Sequence, residues 1–499
     1  MTGPDEDEAR SFAAAFREFL TWVNADRFDT GTRNEVVGLI LDFLGADGAE
    51  KSVVSRALPP FEHVNLQTAL DAWSAESDRS VTVRGVVVPP HFGSVSLQQL
   101  VSGQGIPPLR LAAPPLVDLP NGPGSTLACL LRAVLLVADA RGRYVVMVAG
   151  PSEHEHELRL EVAGLAVDQA QAVLAELDAL RNKLNVYRGH LLDVSASPMG
   201  GVVLSFAEPP RTTREDVVLP EVVLERVERH ALGVAAHRSA LLAAGQHLKR
   251  GLLLYGPPGT GKTHTMRYLV GRMTGYTRLV LTGRALHAVG SAAELARDLQ
   301  PAVIVLEDVD LIAEDRSFGP GSNPMLFDLL DAMDGGAPDA DLLFILTTNR
   351  ADLLEPALAA RPGRVDVAVH IDLPDAPARG RLFDLYARSI TPRLSGAERA
   401  DIVDRTKGVT ASFLKELVRR AVLEALHENA DTGSVTVTAA QIMRALDELL
   451  DANAQVTRSL LGVGNHPGDL AVDSRRGSLP PARGSGWFQH GPGIAPPGT

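Results

Sequence analysis

The stretch Gly256-Pro257-Pro258-Gly259-Thr260-Gly261-Lys262-Thr263 decides the fold of this chain. It fits G-x-x-x-x-G-K-[ST]; the apolar run before it is typical of a buried strand, and residues 264–273 can continue as a helix. Glycines let backbone N–H groups wrap around phosphate oxygens, and the helix adds its positive N-terminal end. We therefore expect these eight residues and His264 to bind a nucleoside triphosphate. Lys262 would reach its β- and γ-phosphates, and the Thr263 hydroxyl would ligate Mg²⁺.

Two carboxylates follow a second apolar run. Residues 303–306 are Val-Ile-Val-Leu, and Glu307 and Asp308 follow directly. Acidic residues at the carboxyl end of a strand, beside a phosphate loop, are placed to hold Mg²⁺ and to activate water. The pattern therefore predicts a metal site at Thr263, Glu307 and Asp308. Asp310 comes next and is interpreted as a helix cap.

An amide and a pair of arginines complete the set of candidate site residues. The apolar run 342–346 is followed by Thr347, Thr348 and Asn349, whose amide can hold an attacking water or contact the γ-phosphate without adding charge. Farther along, Arg361-Pro362-Gly363-Arg364 sets two guanidinium groups three residues apart, between Pro and Gly. Such a segment is a rigid pair of cationic donors. By itself it would indicate only surface charge, but it follows the other motifs.

Together these motifs resemble the AAA family of ATPases, in the family's order and over about residues 216–450. The resemblance implies a ring, usually of six subunits, with ATP bound at subunit interfaces. It also implies a role for each residue of the site: Glu307 coordinates Mg²⁺, Asp308 activates water, Asn349 is the sensor, and Arg361 and Arg364 are arginine fingers that act on the neighbour's γ-phosphate.

The sequence departs from the family pattern at three places. The usual Asp-Glu pair is Glu307-Asp308, an order that resembles the mitochondrial Rieske-protein translocase branch, so we do not interpret it as inactivation. Where substrate-threading members have an aromatic–hydrophobic–Gly loop, His287-Ala288-Val289-Gly290 lacks the aromatic, which argues against threading. The lid motif Gly-x-Ser-Gly-Ala-Asp is replaced by residues 408–413, Gly-Val-Thr-Ala-Ser-Phe. Gly233 is a candidate neighbour of the adenine on position alone.

Composition narrows the function class. The formal net charge is −13, which gives a nucleic-acid partner no bulk electrostatic support. The single cysteine, Cys129, lies in an apolar run and is expected to be an inert core thiol in a reducing cytoplasm. No run approaches the roughly 18–20 apolar residues of a membrane span, and the acidic residues 5–8 oppose a secretory signal. A cytoplasmic location is therefore predicted.

The predicted fold class is α/β: a phosphate-loop NTPase with a parallel sheet and helices on both faces, plus a helical lid and an N-terminal α and α+β region. The predicted strands of this sheet are 252–255, 278–281, 303–306, 342–347 and 367–371. The predicted divisions are a mostly helical region 1–115, an α+β domain 116–210, the AAA large domain 211–375, the lid 376–453 and a disordered tail 454–499.

Two segments of the N-terminal region could suggest other functions. Apolar helical faces at 11–23 and 36–44 fit a small domain's own core better than a docking helix pair. Glu153 to Glu157 alternates Glu and His but fits a solvated turn better than a metal site. The chain contains no H-E-x-x-H, which excludes an attached zinc protease of that type.

The favoured function is ATP hydrolysis by a homo-oligomer, expected to be a hexamer. Hydrolysis would drive the remodelling or disassembly of a macromolecular partner, expected to be an unidentified protein client. The alternative is a scaffold that binds ATP to assemble and hydrolyses it slowly or not at all. A DNA-directed motor would need a basic stripe or a DNA-binding module, and neither is visible.

Overall fold

The structure is a computed structural model. It describes residues 15–16, 34–88, 95–103, 109–151, 156–197, 201–310, 324–335, 340–350, 364–428 and 436–451. By its internal contacts the chain divides into two units, Met1–Asp372 and Leu373–Thr499. The predicted helix at 11–23 lies outside the described residues except for 15–16, and so does the predicted tail.

The first unit begins with a six-stranded antiparallel sheet in the order β1-β8-β7-β6-β2-β3. A separate hairpin, β4–β5, lies beside it in the sequence. The strands are β1 Val54–Leu58, β2 Ser80–Val87, β3 Arg110–Ala112, β4 Leu116–Gly122, β5 Ser125–Leu130, β6 Arg132–Asp139, β7 Gly142–Ala149 and β8 Leu158–Ala163. The helices are α1 Glu35–Ala49, α2 His63–Ser74, α3 Leu97–Ser102 and α4 Val167–Lys183.

Helices cover both faces of this sheet. Along β6, Leu135 and Val137 enter the core formed with α2 and α4, whereas Val134 and Leu136 enter the core formed with α1 and α3. Alternate residues of a strand point to opposite faces, so a strand covered on both sides must be apolar throughout. This is why β6 reads as an unbroken apolar run.

A seven-stranded sheet follows, in the order β10-β9-β12-β13-β14-β11-β15. The strands from β9 to β15 pair in parallel, and β10 is antiparallel to β9. The strands are β9 Leu191–Ala196, β10 Val202–Phe206, β11 Arg250–Tyr255, β12 Thr277–Leu281, β13 Ala302–Leu306, β14 Leu342–Thr348 and β15 Val367–His370. The helices are α5 Glu221–Glu228, α6 Val234–Ala236, α7 Arg238–Ala243, α8 Lys262–Arg272, α9 Val289–Asp298 and α10 Pro324–Asp334, with a π-helical turn Arg229–Gly233 after α5.

This sheet also has helices on both faces, which confirms the predicted fold class. Ile304 and Phe344 belong to the core that contains α9 and α10, whereas Val303 and Ile345 belong to the core that contains α5 and α8. The five strands predicted from apolar runs are β11 to β15, and each begins and ends within two residues of the prediction.

The structure differs from the predicted divisions within residues 1–210. Strands β1, β2 and β3 lie in the region expected to be mostly helical, and they share a sheet with β6, β7 and β8, so no domain boundary falls at residue 115. Strands β9 and β10, expected in the α+β domain, join the seven-stranded sheet through β12. The predicted boundaries at residues 115 and 210 therefore fail because strands pair with segments that are distant in the sequence. Local composition does not show which strands pair.

The described part of the second unit, which contains the residues predicted to form the lid, is mainly helical. Its helices are α11 Ala376–Tyr386, α12 Gly396–Arg405, α13 Ala411–Glu428 and α14 Ala439–Leu450, and two short parallel strands are β16 Thr391–Arg393 and β17 Thr436–Thr438. Phe413 and Leu417 of α13 and Ile442 of α14 are buried. Gly408 has φ +79°, a conformation that L side chains rarely adopt.

Candidate active site

The phosphate loop connects β11 to α8 and depends on its glycines. Gly256, Gly259 and Gly261 have φ values of +144°, +75° and +107°. A Cβ atom on Gly256 would lie 2.2 Å from the carbonyl oxygen of Ile371. The loop therefore needs glycine at 256 for both its backbone conformation and its contact with the residue after β15.

Lys262 lies inside this loop. Its Nζ donates hydrogen bonds to the carbonyl oxygens of Gly256 and Pro257, both at 2.8 Å, and the residue is 5% exposed. Burial lowers the pKa of the ammonium group to about 8, although Asp308 and Asp310 act in the opposite direction. The cation is thus placed where phosphate oxygens are expected, while the adjacent His264 is exposed.

Sheet topology brings the other predicted groups to the same edge. Strand β14 pairs in parallel with both β11 and β13, so the residues that follow these three strands emerge together. They are the phosphate loop, Glu307 and Asn349. This is the edge of a parallel sheet at which such folds bind ligands.

Glu307 is the most buried carboxylate of the predicted set. The Thr263 hydroxyl lies near enough to lower the pKa of its carboxyl, and its backbone N–H donates to Leu281 O at 3.1 Å. Its Oε1 is buried and has no hydrogen-bond partner in the described part of the chain. Burial raises the pKa of Glu307, and the charge of Asp308 adds to this rise. The charge of Arg267 and the Thr263 hydroxyl act in the opposite direction.

Asp308 has the one positive φ, +53°, found at a non-glycine residue in the described ranges. Its N–H donates to Thr347 Oγ1 at 3.1 Å, and the next N–H, of Val309, donates to Thr347 O at 2.9 Å. Partial burial and Asp310 raise the pKa of Asp308, and Lys262 lowers it. Such backbone conformations cost about 1–3 kcal/mol and persist where surrounding contacts impose them, often at functional sites.

Asp310 makes a connection that its position in the sequence did not indicate. Its Oδ1 accepts hydrogen bonds from Thr348 Oγ1 at 3.0 Å and from the N–H of Asn349 at 3.3 Å. The segment after β13 is thereby joined to the end of β14, where the predicted sensor lies. The sequence shows a carboxylate two residues after Asp308, a position that is also typical of a helix cap.

The arginine segment is described in part. Arg361 lies outside the described residues. Arg364 is 8% exposed, and its guanidinium donates two hydrogen bonds to Asp334 of the same chain, Nε to Oδ1 at 2.8 Å and Nη2 to Oδ2 at 2.7 Å. These bonds to Asp334 raise the pKa of the Arg364 guanidinium above its ordinary value.

The residues at the sheet edge fit a magnesium ion. Mg²⁺ is usually bound through one or two carboxylates and the phosphates of a substrate, not by a complete cage of side chains. The described residues accordingly include no group of three or more His, Cys, Asp or Glu side chains that could hold a metal. The Thr263 hydroxyl, the partnerless Oε1 of Glu307 and Asp308 supply hard oxygen ligands of the required kind.

Other predicted features take up definite positions. Val289 is fully buried at the start of α9, and a 3₁₀ turn, Gly283–Ala288, precedes it, so the segment 287–290 is not an extended surface loop.

Gly233 ends the π-helical turn after α5. Cys129 is buried, and burial raises its pKa to about 11, as expected for an inert core thiol. Most of the Glu/His stretch 153–157 lies outside the described residues.

No described helix is both long enough and apolar enough to cross a membrane.

Comparison with known proteins finds a family match over part of this chain. The family described as "ATPase family associated with various cellular activities (AAA)" matches residues 252–373. The ATP-dependent zinc metalloprotease FtsH of Mycoplasmopsis synoviae is 32% identical over 231 residues, which are 44% of this chain and 34% of the relative. The proteasome-activating nucleotidase of Thermococcus gammatolerans is 29% identical over 266 residues, 51% of this chain and 65% of the relative. The FtsH of Thermus thermophilus is 29% identical over 256 residues, 49% of this chain and 40% of the relative. The chain thus spans less than two thirds of the length of these relatives.

Proposed function

Because the chain carries an AAA ATPase domain, we propose that it hydrolyses ATP as a homo-oligomer, in a ring of six subunits, and uses the energy to remodel or disassemble a protein partner. One observation supports hydrolysis most directly. Glu307, whose buried Oε1 has no hydrogen-bond partner among the described residues, lies near the Thr263 hydroxyl at the sheet edge that also presents Lys262.

The residues divide the work as follows. Lys262 and the N–H groups of the loop bind the phosphates. Thr263 and Glu307, with Asp308, would hold Mg²⁺, which when bound neutralises charge on the phosphate oxygens. The Asp308 carboxylate takes the proton of the attacking water, and the Asn349 amide orients that water. An arginine of the segment 361–364 reaches the neighbour's γ-phosphate and completes the site.

The names of the relatives support a protein client. One is a metalloprotease and another activates a proteasome, so both names concern protein breakdown. The sequence has no H-E-x-x-H, and the proposal therefore extends only to the ATP-driven step. A cytoplasmic location stays a prediction from the sequence.

An assembly scaffold that hydrolyses ATP slowly or not at all is the second candidate. Two observations favour it: the Glu307-Asp308 order places the shorter carboxylate at the water-activating position, and Arg364 is bound within its own subunit. In this case ATP would promote assembly without turnover.

A dilution series separates the two candidates. The specific ATPase activity of the full chain is measured from concentrations at which it is oligomeric to those at which it is monomeric, with mass photometry on the same samples. Because a neighbouring arginine contributes roughly 10³–10⁵-fold, activity should fall together with the oligomer. Activity that stays constant while the oligomer dissociates contradicts completion of the site by a neighbour, and ATP-dependent assembly without turnover supports the scaffold.

A further inference from the structure

Arg364 connects two parts of its own subunit. Its side chain forms a bidentate pair with Asp334, the last residue of α10. The side chain of Arg364 is 10% exposed and that of Asp334 is 31% exposed. Two parallel charge-assisted bonds of this kind are among the stronger polar contacts in proteins. Most of the guanidinium is therefore directed at a group of the same chain.

The backbone of Arg364 is fixed as well. A Cβ atom on Gly251 would lie 1.7 Å from the carbonyl oxygen of Arg364, so the two backbones are in direct contact. Next to this contact, the Asp366 N–H donates to Gly251 O at 3.0 Å, and the Gly251 N–H donates to Asp366 Oδ2 at 2.9 Å. Arg364 is thus anchored to the start of β11 by its backbone and to the end of α10 by its side chain.

Two other cations reach the same end of α10. Lys249 Nζ donates to Gly335 O at 3.1 Å, and Arg297 Nη2 donates to Ala332 O at 3.2 Å. The last carbonyls of a helix lack partners within the helix, and its C-terminus favours positive charge. Arg364 is therefore one of three basic side chains that hold this helix terminus in place.

We propose that Arg364 is a positioning residue that acts within its own subunit through Asp334, and that it is not an arginine finger. This inference rests on the proposed function, and it leaves the finger role in the segment to Arg361. A finger must present its guanidinium to a neighbouring nucleotide, whereas Arg364 is itself buried and would first have to break two charge-assisted bonds to Asp334. Breaking both bonds is unfavourable because bidentate charge-assisted bonds are stronger than neutral ones.

A double-mutant cycle tests the pairing without any measurement of activity. Arg364→Ala, Asp334→Ala and the double variant of the full chain are compared with the unaltered chain by thermal unfolding at a fixed scan rate. Each single change should lower the apparent Tm by about 2–4 °C, and the double change should lower it little further. Additive shifts would overturn the pairing. This readout stays valid even if the chain does not hydrolyse ATP, so its failure is distinct from failure of the proposed function.

Turnover separates a positioning residue from a finger. A positioning pair predicts that Asp334→Ala and Arg364→Ala lower kcat by the same factor and that the double variant is no slower. The apolar pair Asp334→Leu/Arg364→Met should restore most of the Tm and kcat lost in the single variants, since neither charge is then left behind in the half-buried pair. Arg361→Ala should lose turnover with its Tm unchanged. A finger at 364 gives the opposite result: Asp334→Ala keeps turnover, whereas Arg364→Met loses roughly 10³-fold in either background.

Discussion

The Oδ1 atom of Asp310 accepts a hydrogen bond from the hydroxyl of Thr348 at 3.0 Å and so joins the segment after β13 to the end of β14. The same oxygen accepts the N–H of Asn349 at 3.3 Å. The position of Asn349 relative to Asp308 thus depends on a carboxylate that has no part in the predicted chemistry.

Asp310→Ala should lower kcat by roughly 10–100-fold with little change in ATP affinity, because Asn349 loses its fixed position and misplacement by about 1 Å costs that much. Asp310→Asn keeps an Oδ1 acceptor and should keep most of the activity. Steady-state kinetics with equilibrium nucleotide binding measures both. An Asn variant as slow as the Ala variant would show that the charge of Asp310 matters, and not its role as an acceptor.

Asp308→Asn should bind ATP and fail to hydrolyse it. The amide has nearly the size of the carboxylate but cannot take up the proton of the attacking water. Single-turnover measurements with radiolabelled ATP should find the nucleotide retained as ATP on the oligomer. Unchanged turnover would contradict the role of Asp308. The trapped state would also allow the capture and identification of a protein client.

Gly256→Ala should disrupt the phosphate loop. The new Cβ atom would lie 2.2 Å from Ile371 O, and φ +144° is unfavourable for alanine. We expect nucleotide affinity to fall at least about tenfold, by isothermal titration calorimetry. Gly290→Ala in α9 is the matched control, since a Cβ there meets nothing within 4 Å. It should leave affinity unchanged and stabilise the helix by up to about 1 kcal/mol. Equal effects of the two substitutions would contradict the steric argument.

Stability should decrease in mild acid because of His63. This residue is 3% exposed, and its Nε2 lies 2.8 Å from Leu130 O. Burial lowers the pKa of His63, although its bond to Leu130 O acts in the opposite direction. The unfolded chain therefore binds a proton near pH 6.5 that the folded chain binds only at lower pH. The stabilisation from neutral His63 is complete above about pH 6.5 and is lost as the pH falls toward the folded-state value.

Thermal unfolding at several pH values between 5 and 8 measures this effect. His63→Gln should reduce the loss of stability below pH 6.5. One titrating group can change the free energy of unfolding by at most about 1.4 kcal/mol for each pH unit. His156→Gln is the control, because His156 is exposed. A loss of stability in acid that is the same in the His63 variant as in the unaltered chain would exclude His63 as its source.

The central sheet could be predicted because each strand is a local signal. Val303 to Leu306 is buried on both faces and must be apolar at every position, so its burial is visible in the sequence itself. The phosphate loop is visible for a similar reason: its glycines are required by the backbone at those positions. The catalytic roles assigned to Asp308 and Asn349 stay predictions.

What the sequence could not indicate are contacts between distant segments. Arg364 and Asp334 lie 30 residues apart, and neither has a neighbour in the sequence that marks it as one half of a pair. Strand β9 is short and contains Asp193 and Ser195, and only its pairing with β12 assigns it to the ATPase sheet. Pro120 lies within β4, a residue type that argues against a strand and is tolerated in this two-stranded hairpin.

Strand β9 decides where the chain can be cut. It supplies the parallel partner of β12, so a fragment that begins at residue 211 would leave β12 as an open edge of the sheet. Exposed edges of long apolar sheets recruit other chains, and such a fragment is expected to aggregate. A fragment that keeps the seven-stranded sheet complete is therefore expected to begin before Leu191. Any exchange of the N-terminal region for another domain must therefore keep β9 and β10 with the seven-stranded sheet.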